Sequence, residues 1–195
     1  DLDAFAEKHD LKIGTIADLI HYRLLHEKTV NLLEQGEINT DHGKFTINVF
    51  QDSTDGETHL ALVKGSPKGD DPTLVRVHTG SAVRDMFGAQ LGDKPDWNIQ
   101  RCLAAIEKQG CGVLVLLATH NTSVDWLEDA QIALGRRAKP SVLVTKGSDS
   151  LTVGVGSQIL RQLGVQKMRL MGPDKHYSGI SGFDLEVVEY VACDS

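Results

Sequence analysis

Two stretches of alternating apolar and polar residues stand out in the first third of the chain. Residues 45–50 and 59–63 alternate with period two, which is typical of strands with one buried face. The run Ser53-Thr54-Asp55-Gly56 between them has turn-forming composition. The pattern therefore predicts an antiparallel hairpin. A third strand is predicted at 74–78, after the polar loop of residues 66–72.

The second half of the chain has a different pattern. Apolar residues recur at helical spacing in 97–109, with Gly110 as the stop, and the unbroken apolar run 112–117 predicts a buried strand. A helix is expected from Ser123 or Asp125 to about Leu134, and a second helix over 157–163, directly after a tight turn at Gly154-Val155-Gly156. Strands are expected at 142–144, 168–171 and 185–191. Hairpins followed by alternating units predict an α+β fold, or a mixed α/β fold.

Residues 1–35 are predicted to be helical. Phe5 and Leu11 begin an apolar series, and Thr15 has the position of an N-cap, with Asp18 three residues later. Residues 24–33 either continue as helix or enter a linker, and Gly36 is the expected stop.

Composition limits the classes of function. A chain of 195 residues can bury one core, and its net charge of −7 gives no electrostatic reason to expect a nucleic-acid or anionic-membrane partner. The three cysteines include no Cys-x-x-Cys pair, and no apolar run approaches the ~18 residues of a membrane span. We therefore expect a cytoplasmic protein with reduced thiols. The first residues are neither a signal peptide nor an initiator methionine, which predicts a fragment of something longer.

Four segments have a distinctive sequence: Thr40–Phe45, Val-Arg-Val-His at 75–78, Asp-Met-Phe-Gly at 85–88 and Gly154–Val165. Together they resemble segments of GTP cyclohydrolase II, a zinc enzyme of riboflavin biosynthesis. The resemblance covers about residues 39–191. It implies a GTP cyclohydrolase II-like fold, with the antiparallel hairpin first and alternating strands and helices later.

The N-terminal residues resemble a second family. Residues 5–11 and 15–23 are similar to the C-terminal end of 3,4-dihydroxy-2-butanone 4-phosphate synthase. The two resemblances follow the order of bifunctional riboflavin-biosynthesis proteins. They imply a synthase tail and linker at 1–35, a GTP cyclohydrolase II-like domain at 36–195, an N-terminal synthase domain as partner in the same chain, and a homodimer.

The reactive groups of the cyclohydrolase family are missing. Its three zinc cysteines fall at Ser81, Gly92 and Lys94, and the arginine proposed as its nucleophile falls at Leu151. None of the three can replace a thiolate, so zinc is not expected and no cofactor is predicted for this chain. Among other potential ligands, His78 lies in the strand where the family's site begins. The remaining candidates qualify by residue type alone: Asp85, Asp93, Cys102 and His120. In the synthase family the residues that hold magnesium lie upstream, so magnesium is expected there.

Four residues are candidates for binding a nucleotide or a phosphate. Arg76 and Lys175 match basic positions that contact the nucleotide in the family, and His78 and Asp149 are the other two candidates. Arginine and lysine suit phosphate because of their charge and donor geometry. The alternative is that Arg76 is a strand-end surface residue and Lys175 a solvated loop residue.

These observations lead to one functional expectation and two alternatives. The first is a degenerate, noncatalytic cyclohydrolase II-like domain that stabilises, dimerises or regulates a synthase whose lyase activity lies elsewhere in the protein. The alternatives are a module that senses a nucleotide or a phosphorylated ligand, and an active GTP cyclohydrolase II with an unrecognised metal site.

Overall fold

The computed structural model describes residues 2–14, 22–23, 27–67, 71–90, 95–118, 130–136, 148–174 and 180–193. The elements, in chain order, are α1 (Leu2–Lys8), β1 (Val30–Thr40), β2 (Gly43–Asp52), β3 (Thr58–Lys64), β4 (Thr73–Thr79), a π-helix (Ala82–Met86), α2 (Ile99–Gln109), β5 (Gly112–Leu117), α3 (Ser148–Gln162), β6 (Lys167–Met171), a 3-10 helix (Ile180–Phe183) and β7 (Glu186–Val191).

The strands form one seven-stranded sheet in the order β1-β2-β3-β5-β4-β6-β7. β1, β2 and β3 pair antiparallel, and β3 also pairs antiparallel with β5. β4 pairs parallel with β5 and β6, and β6 pairs parallel with β7. The sheet edge at which β4 and β5 end is called the carboxyl edge below. The predicted mixed fold, with a hairpin first and alternating units later, is confirmed.

Helices cover both faces of the sheet. One face packs against α2 through a cluster that contains Leu74, Leu114 and Ile106. The other packs against α3 through a cluster that contains Val75, Val113 and Ile159. Because β5 is covered on both sides, its residues form the continuous apolar run that the sequence shows.

Helix α2 agrees closely with the prediction. It begins at Ile99, because the Asn98 side chain accepts a hydrogen bond from the Arg101 N–H and caps the first turn. It ends at Gly110, whose φ of 77° places it in the left-handed region.

Helix α3 corrects a prediction. A turn at Gly154-Val155-Gly156 followed by a helix over 157–163 was expected, but α3 runs from Ser148 to Gln162 through both glycines. A Cβ at Gly156 would lie 3.2 Å from Val77 Cγ1, so this glycine lets the helix lie close to β4. A glycine that allows close packing between a helix and a sheet looks the same in the sequence as a glycine that forms a turn.

Strand β1 corrects a second prediction. Residues 30–35 were expected to be helix or linker with a stop at Gly36, but β1 continues from Val30 through Gly36 to Thr40. Residues 31–37 are exposed on both faces of this edge strand, so no period-two pattern marks them. The domain boundary at 35/36 stays a prediction, and β1 crosses it.

Three expectations fall partly or wholly outside the described residues. The N-cap at Thr15 and the strand at 142–144 lie outside them, and of the helix expected to end near Leu134 only 130–136 is described, with 130–133 helical. Among the described residues, no helix has the length and apolar character that crossing a membrane requires.

Candidate functional site

Four charged or titratable side chains meet where β4 ends: Arg76, His78, Arg84 and Asp85, called the β4 cluster below. Arg76 and His78 lie on the same face of β4, and the Arg76 Nε donates to His78 Nδ1 at 3.4 Å. The π-helix that follows β4 carries Arg84 and Asp85. Arg84 Nη2 donates to the Thr79 carbonyl at 2.7 Å, which ties the π-helix to the last residue of β4.

Asp85 is the centre of this cluster. Its Oδ2 accepts hydrogen bonds from His78 Nε2 and from the Ser81 N–H, each at 2.8 Å. Arg84 Nη2 donates to the same oxygen at 3.2 Å, and the Ile99 N–H donates to Oδ1 at 3.2 Å. Ile99 is the first residue of α2, so one buried carboxylate joins the end of β4, the π-helix and the start of α2.

The contacts of His78 favour one tautomer of its neutral ring. Arg76 donates to Nδ1, so the proton lies on Nε2 and is donated to Asp85 at 2.8 Å. Arg84 Nη2 lies 3.0 Å from the same Nε2 and donates to the Thr79 carbonyl and to Asp85 instead. His78 has no exposed surface, and burial lowers its pKa, although the hydrogen bond to Asp85 acts in the opposite direction.

Asp85 is held in its charged form. Burial on its own would raise the pKa of this carboxyl. The hydrogen bonds from His78, Arg84 and the Ser81 N–H outweigh that effect and hold the pKa of Asp85 well below its ordinary value. The cluster therefore contains a carboxylate, two guanidinium groups and a neutral imidazole.

Arg76 also joins β4 to the strand beside it. Its Nη1 donates to the Met171 carbonyl at the end of β6 at 2.7 Å. A Cβ at Gly172 would lie 3.1 Å from the same nitrogen, so the guanidinium lies directly against the backbone of residue 172. Arg76 is half-buried, which places it between the core and the surface at the carboxyl edge.

A second histidine lies at the carboxyl edge, on the α3 face of the sheet. His59 is buried, and its Nδ1 accepts a hydrogen bond from the Ala118 N–H at 3.2 Å, so the neutral ring carries its proton on Nε2. Among the described residues, Nε2 has no hydrogen-bond partner. Burial lowers the pKa of His59, although Asp55, Asp52 and Glu57 act to raise it.

Comparison with known families identifies the sheet and its helices. The family model described as GTP cyclohydrolase II matches residues 31–192. The chain belongs to the GTP cyclohydrolase II family. The matched segment includes all seven strands except Val30, together with the whole β4 cluster. The fold implied by the sequence resemblance is thereby confirmed.

Several similar proteins are nevertheless named for another activity. The chain is 41% identical over 193 residues to 3,4-dihydroxy-2-butanone 4-phosphate synthase of Pseudomonas syringae pv. tomato, covering 98% of this chain and 51% of that protein. It is 42% identical to the Pseudomonas aeruginosa protein of the same name, covering 100% and 52%. It is 38% identical to the riboflavin biosynthesis protein RibBA of Aquifex aeolicus, covering 98% and 48%.

A solved structure shows the same relationship. The chain matches RibBX, a two-domain 3,4-dihydroxy-2-butanone 4-phosphate synthase from A. baumannii, with a TM-score of 0.68 and 39% identity. The match covers 100% of this chain and 49% of that one. The chain therefore spans about half the length of the proteins that it matches.

These relatives correct the functional expectation. A degenerate, noncatalytic cyclohydrolase II-like domain with a stabilising, dimerising or regulatory role was expected, with ligand sensing and GTP hydrolysis as alternatives. That interpretation is wrong, because relatives 38–42% identical over nearly the whole chain are themselves named 3,4-dihydroxy-2-butanone 4-phosphate synthases. The missing cysteines led to the wrong inference because a missing site says nothing about which other activity a family member has.

The family's first zinc position has a different role in this member. Ser81 is buried, and its hydroxyl accepts a hydrogen bond from the Arg84 N–H at 3.2 Å, so it caps the π-helix. Gly92 and Lys94, at the other two positions, lie outside the described residues. A capping hydroxyl, a glycine and a lysine do not form the donor set of a zinc ion. Within the described part of the chain, no group of three or more potential ligands is placed to hold a metal.

The four candidate phosphate contacts are only partly brought together. Arg76 and His78 are neighbours in the β4 cluster. Asp149 is the second residue of α3, which packs on the opposite face of the sheet, and Lys175 lies outside the described residues. Cys102, named as a possible ligand, is fully buried, and burial raises its pKa to about 12, so it is an inert core thiol.

Sequence reasoning missed Arg84 and named Asp85 by type alone. A signal for both was present. A serine followed by an acidic residue near the third helical position is typical of a reciprocal helix cap. Here the Ser81 hydroxyl accepts from the Arg84 N–H while the Asp85 carboxylate accepts from the Ser81 N–H. The contacts of Asp85 with His78 and Ile99 had no local signal, because they depend on the fold.

Proposed function

We propose that this chain functions as a 3,4-dihydroxy-2-butanone 4-phosphate synthase, as one half of a two-domain protein. The observation that carries the proposal is the 41% and 42% identity, over essentially the whole chain, to proteins of that name. The structural match to a two-domain synthase, of which the chain covers 49%, supports the two-domain arrangement. The synthase-like residues near the N-terminus support a second-half position for residues 36–195.

The β4 cluster supports a site for the phosphate of the compound named in those relatives. That compound is a phosphate monoester, and a guanidinium suits such a group because of its charge and fork geometry. Arg76 is half-buried at the carboxyl edge, where ligands of open α/β sheets bind. His78 has no exposed surface, so we assign it the positioning of Arg76 through Nδ1. Asp149 and Lys175 stay proposed contacts.

The proposal includes no zinc site, because the donor set at residues 81, 92 and 94 does not fit one. Any magnesium that the synthase reaction needs is assigned to the other half of the protein, as the synthase resemblance implies.

The other half of the protein is the proposed partner within the same chain. The proposed assembly is a homodimer in the cytoplasm, without nucleic-acid or membrane partners. Light scattering during gel filtration checks the dimer: a mass equal to a single chain would contradict it.

A direct assay tests the proposed activity. The two-domain protein that contains this chain is incubated with ribulose 5-phosphate and magnesium, and 3,4-dihydroxy-2-butanone 4-phosphate is followed by mass spectrometry. We expect the product to form and GTP in a parallel incubation to stay intact. Failure to form the product, or release of a product from GTP, overturns the proposal.

A variant assigns the role of Arg76. In Arg76→Ala the loss of the guanidinium should raise KM for the phosphorylated substrate more than it lowers kcat, since the interaction is with the unreacting phosphate. Arg169→Ala is a matched control, because Arg169 lies on neighbouring β6 and pairs with the exposed Glu189. Equal kinetics in Arg76→Ala and the control would exclude Arg76 from the site.

A further inference from the structure

Helix α3 holds the first residues of β1 by its side-chain amides. The Gln158 Oε1 accepts hydrogen bonds from the N–H groups of Thr29 and Val30, at 3.1 and 3.3 Å. One turn later, the Gln162 Nε2 donates to the Val30 carbonyl at 2.8 Å. Two glutamines therefore satisfy three peptide groups that are about 130 residues away in sequence.

These contacts replace a neighbouring strand. β1 pairs with β2 on one side, and Val30 lies opposite Asp52 at the end of that ladder. Val30 has no exposed surface and Gln158 is buried, so water cannot satisfy the N–H and C=O of Val30. A buried peptide group without a partner is costly, and the amide side chain offers the acceptor and donor that a strand would offer.

The backbone at residue 29 is also held from the β2 side. The Thr29 carbonyl accepts hydrogen bonds from both the N–H and the hydroxyl of Ser53, each at 2.9 Å. Residues 27 and 28 before this point are exposed, and so are residues 31–37 after it. Within the described residues 27–37, Val30 is the buried one, and the backbone at residues 29–30 is held by α3 on one side and by Ser53 on the other.

We propose that Gln158 and Gln162 form a clamp that fixes the point and the direction in which the N-terminal segment joins the sheet. Side-chain amides bound to both the N–H and the C=O of one residue, Val30, restrain the orientation of its backbone as well as its position. In a two-domain synthase, the clamp would also set the orientation of the other domain relative to the sheet. This second role rests on the proposed function.

Trypsin provides a site-resolved test on the intact chain. Lys28 precedes the clamped residues directly, and Lys12 lies in the exposed N-terminal segment. Cleavage after Lys28 requires Thr29 and Val30 to leave their hydrogen bonds with the glutamines, whereas cleavage after Lys12 is independent of those bonds. In Gln158→Leu we expect cleavage at Lys28–Thr29 to become about tenfold faster, while cleavage at Lys12–Ile13 is unchanged.

Two further variants keep the test decisive. Gln162→Leu removes one bond from a more exposed side chain, so it reports on the clamp even if Gln158→Leu fails to fold. Gln51→Leu is the control, because it removes a side-chain bond to the Gly56 carbonyl within one hairpin. Equal rates at Lys28 in wild type and both clamp variants would overturn the clamp, as would equal acceleration in Gln51→Leu.

Small-angle scattering on the two-domain protein tests the orientation. The clamp predicts a wider distribution of interdomain distances in Gln158→Leu than in Gln51→Leu, and identical distributions would overturn that role. The trypsin result does not depend on the activity of the protein. A clamp shown by proteolysis in a protein without synthase activity would therefore overturn the proposed function and leave the clamp standing.

Discussion

Asp85 shows how one residue can connect elements that are distant in sequence. Its carboxylate accepts hydrogen bonds from the strand end, the π-helix and the first turn of α2. Its side chain is 6% exposed, so these bonds lie in a medium that screens charge poorly. A buried carboxylate of this kind is stable only while its donors stay in place, because an unpaired buried charge is costly.

Asp85→Asn should therefore destabilise the fold. An amide keeps the size and one acceptor but removes the charge that Arg84 faces, and breaking a buried pair in this way costs roughly 3 kcal/mol or more. The measurement is the free energy of unfolding in urea. Asp184→Asn is the control: Asp184 is 74% exposed, pairs with Arg161 at 2.6 Å, and has a positive φ that asparagine tolerates. Its cost should stay below about 1 kcal/mol, and similar values for the two variants would contradict the role of Asp85.

At this scale the sequence was informative only where the contact is local. Arg76 and His78 could be placed side by side because alternate residues share a face of a strand. The pairing of Ser81 with Arg84 and Asp85 follows helix-capping chemistry and could have been predicted. The contact of Asp85 with Ile99 could not, because its geometry depends on how α2 packs against β4.

At the scale of elements, a strand that is buried on both faces is easy to predict from its sequence, whereas a strand that is exposed on both faces is not. β5 is covered on both faces, and its apolar run predicted it correctly. β1 is exposed from residue 31 to 37, so its strand character comes from pairing with β2, which leaves no pattern in its own side chains. Helix α3 was shortened in the prediction because glycine disfavours helix in isolation, while close packing favours it here.

Gly156→Val tests that packing argument. A Cβ at this position would lie 3.2 Å from Val77 Cγ1, and the further methyl groups of valine have no room, so we expect a cost of about 1–3 kcal/mol. Val77→Ala removes the opposing methyl groups, so the double variant should cost less than the sum of the two single variants. Chemical unfolding of all four proteins completes the cycle.

Gly36→Val is the control for this cycle. It has nothing within 4 Å of the new Cβ and should change the free energy of unfolding by less than about 0.5 kcal/mol. Strict additivity between Gly156→Val and Val77→Ala would contradict close packing as the reason for the glycine.

At the scale of the whole molecule, three buried groups with lowered pKa values make the fold more stable at neutral than at acidic pH. The pKa values of His59 and His78 are lowered from 6.5 in the folded state, and that of Asp85 is lowered from 3.8. A group whose folded pKa is depressed binds more protons when unfolded. Its contribution to stability is complete above the unfolded pKa and is lost as pH falls through the folded one. The two histidines therefore lower the stability of the fold as pH falls below about 6.5, and Asp85 does so as pH falls below about 4.

The free energy of unfolding should accordingly fall as pH is lowered from 7 to 5. One histidine can contribute at most about 1.4 kcal/mol per pH unit in this window. His59→Gln removes one of the two described histidine rings with a lowered pKa and leaves an amide that can accept the Ala118 N–H, so the stability of the variant should depend less steeply on pH. Urea unfolding at half-unit steps of pH measures the slope for each of the two proteins. If His59→Gln and wild type lose stability equally between pH 7 and 5, then His59 is not held neutral by burial, and its place at the carboxyl edge is more open to water than the structure shows.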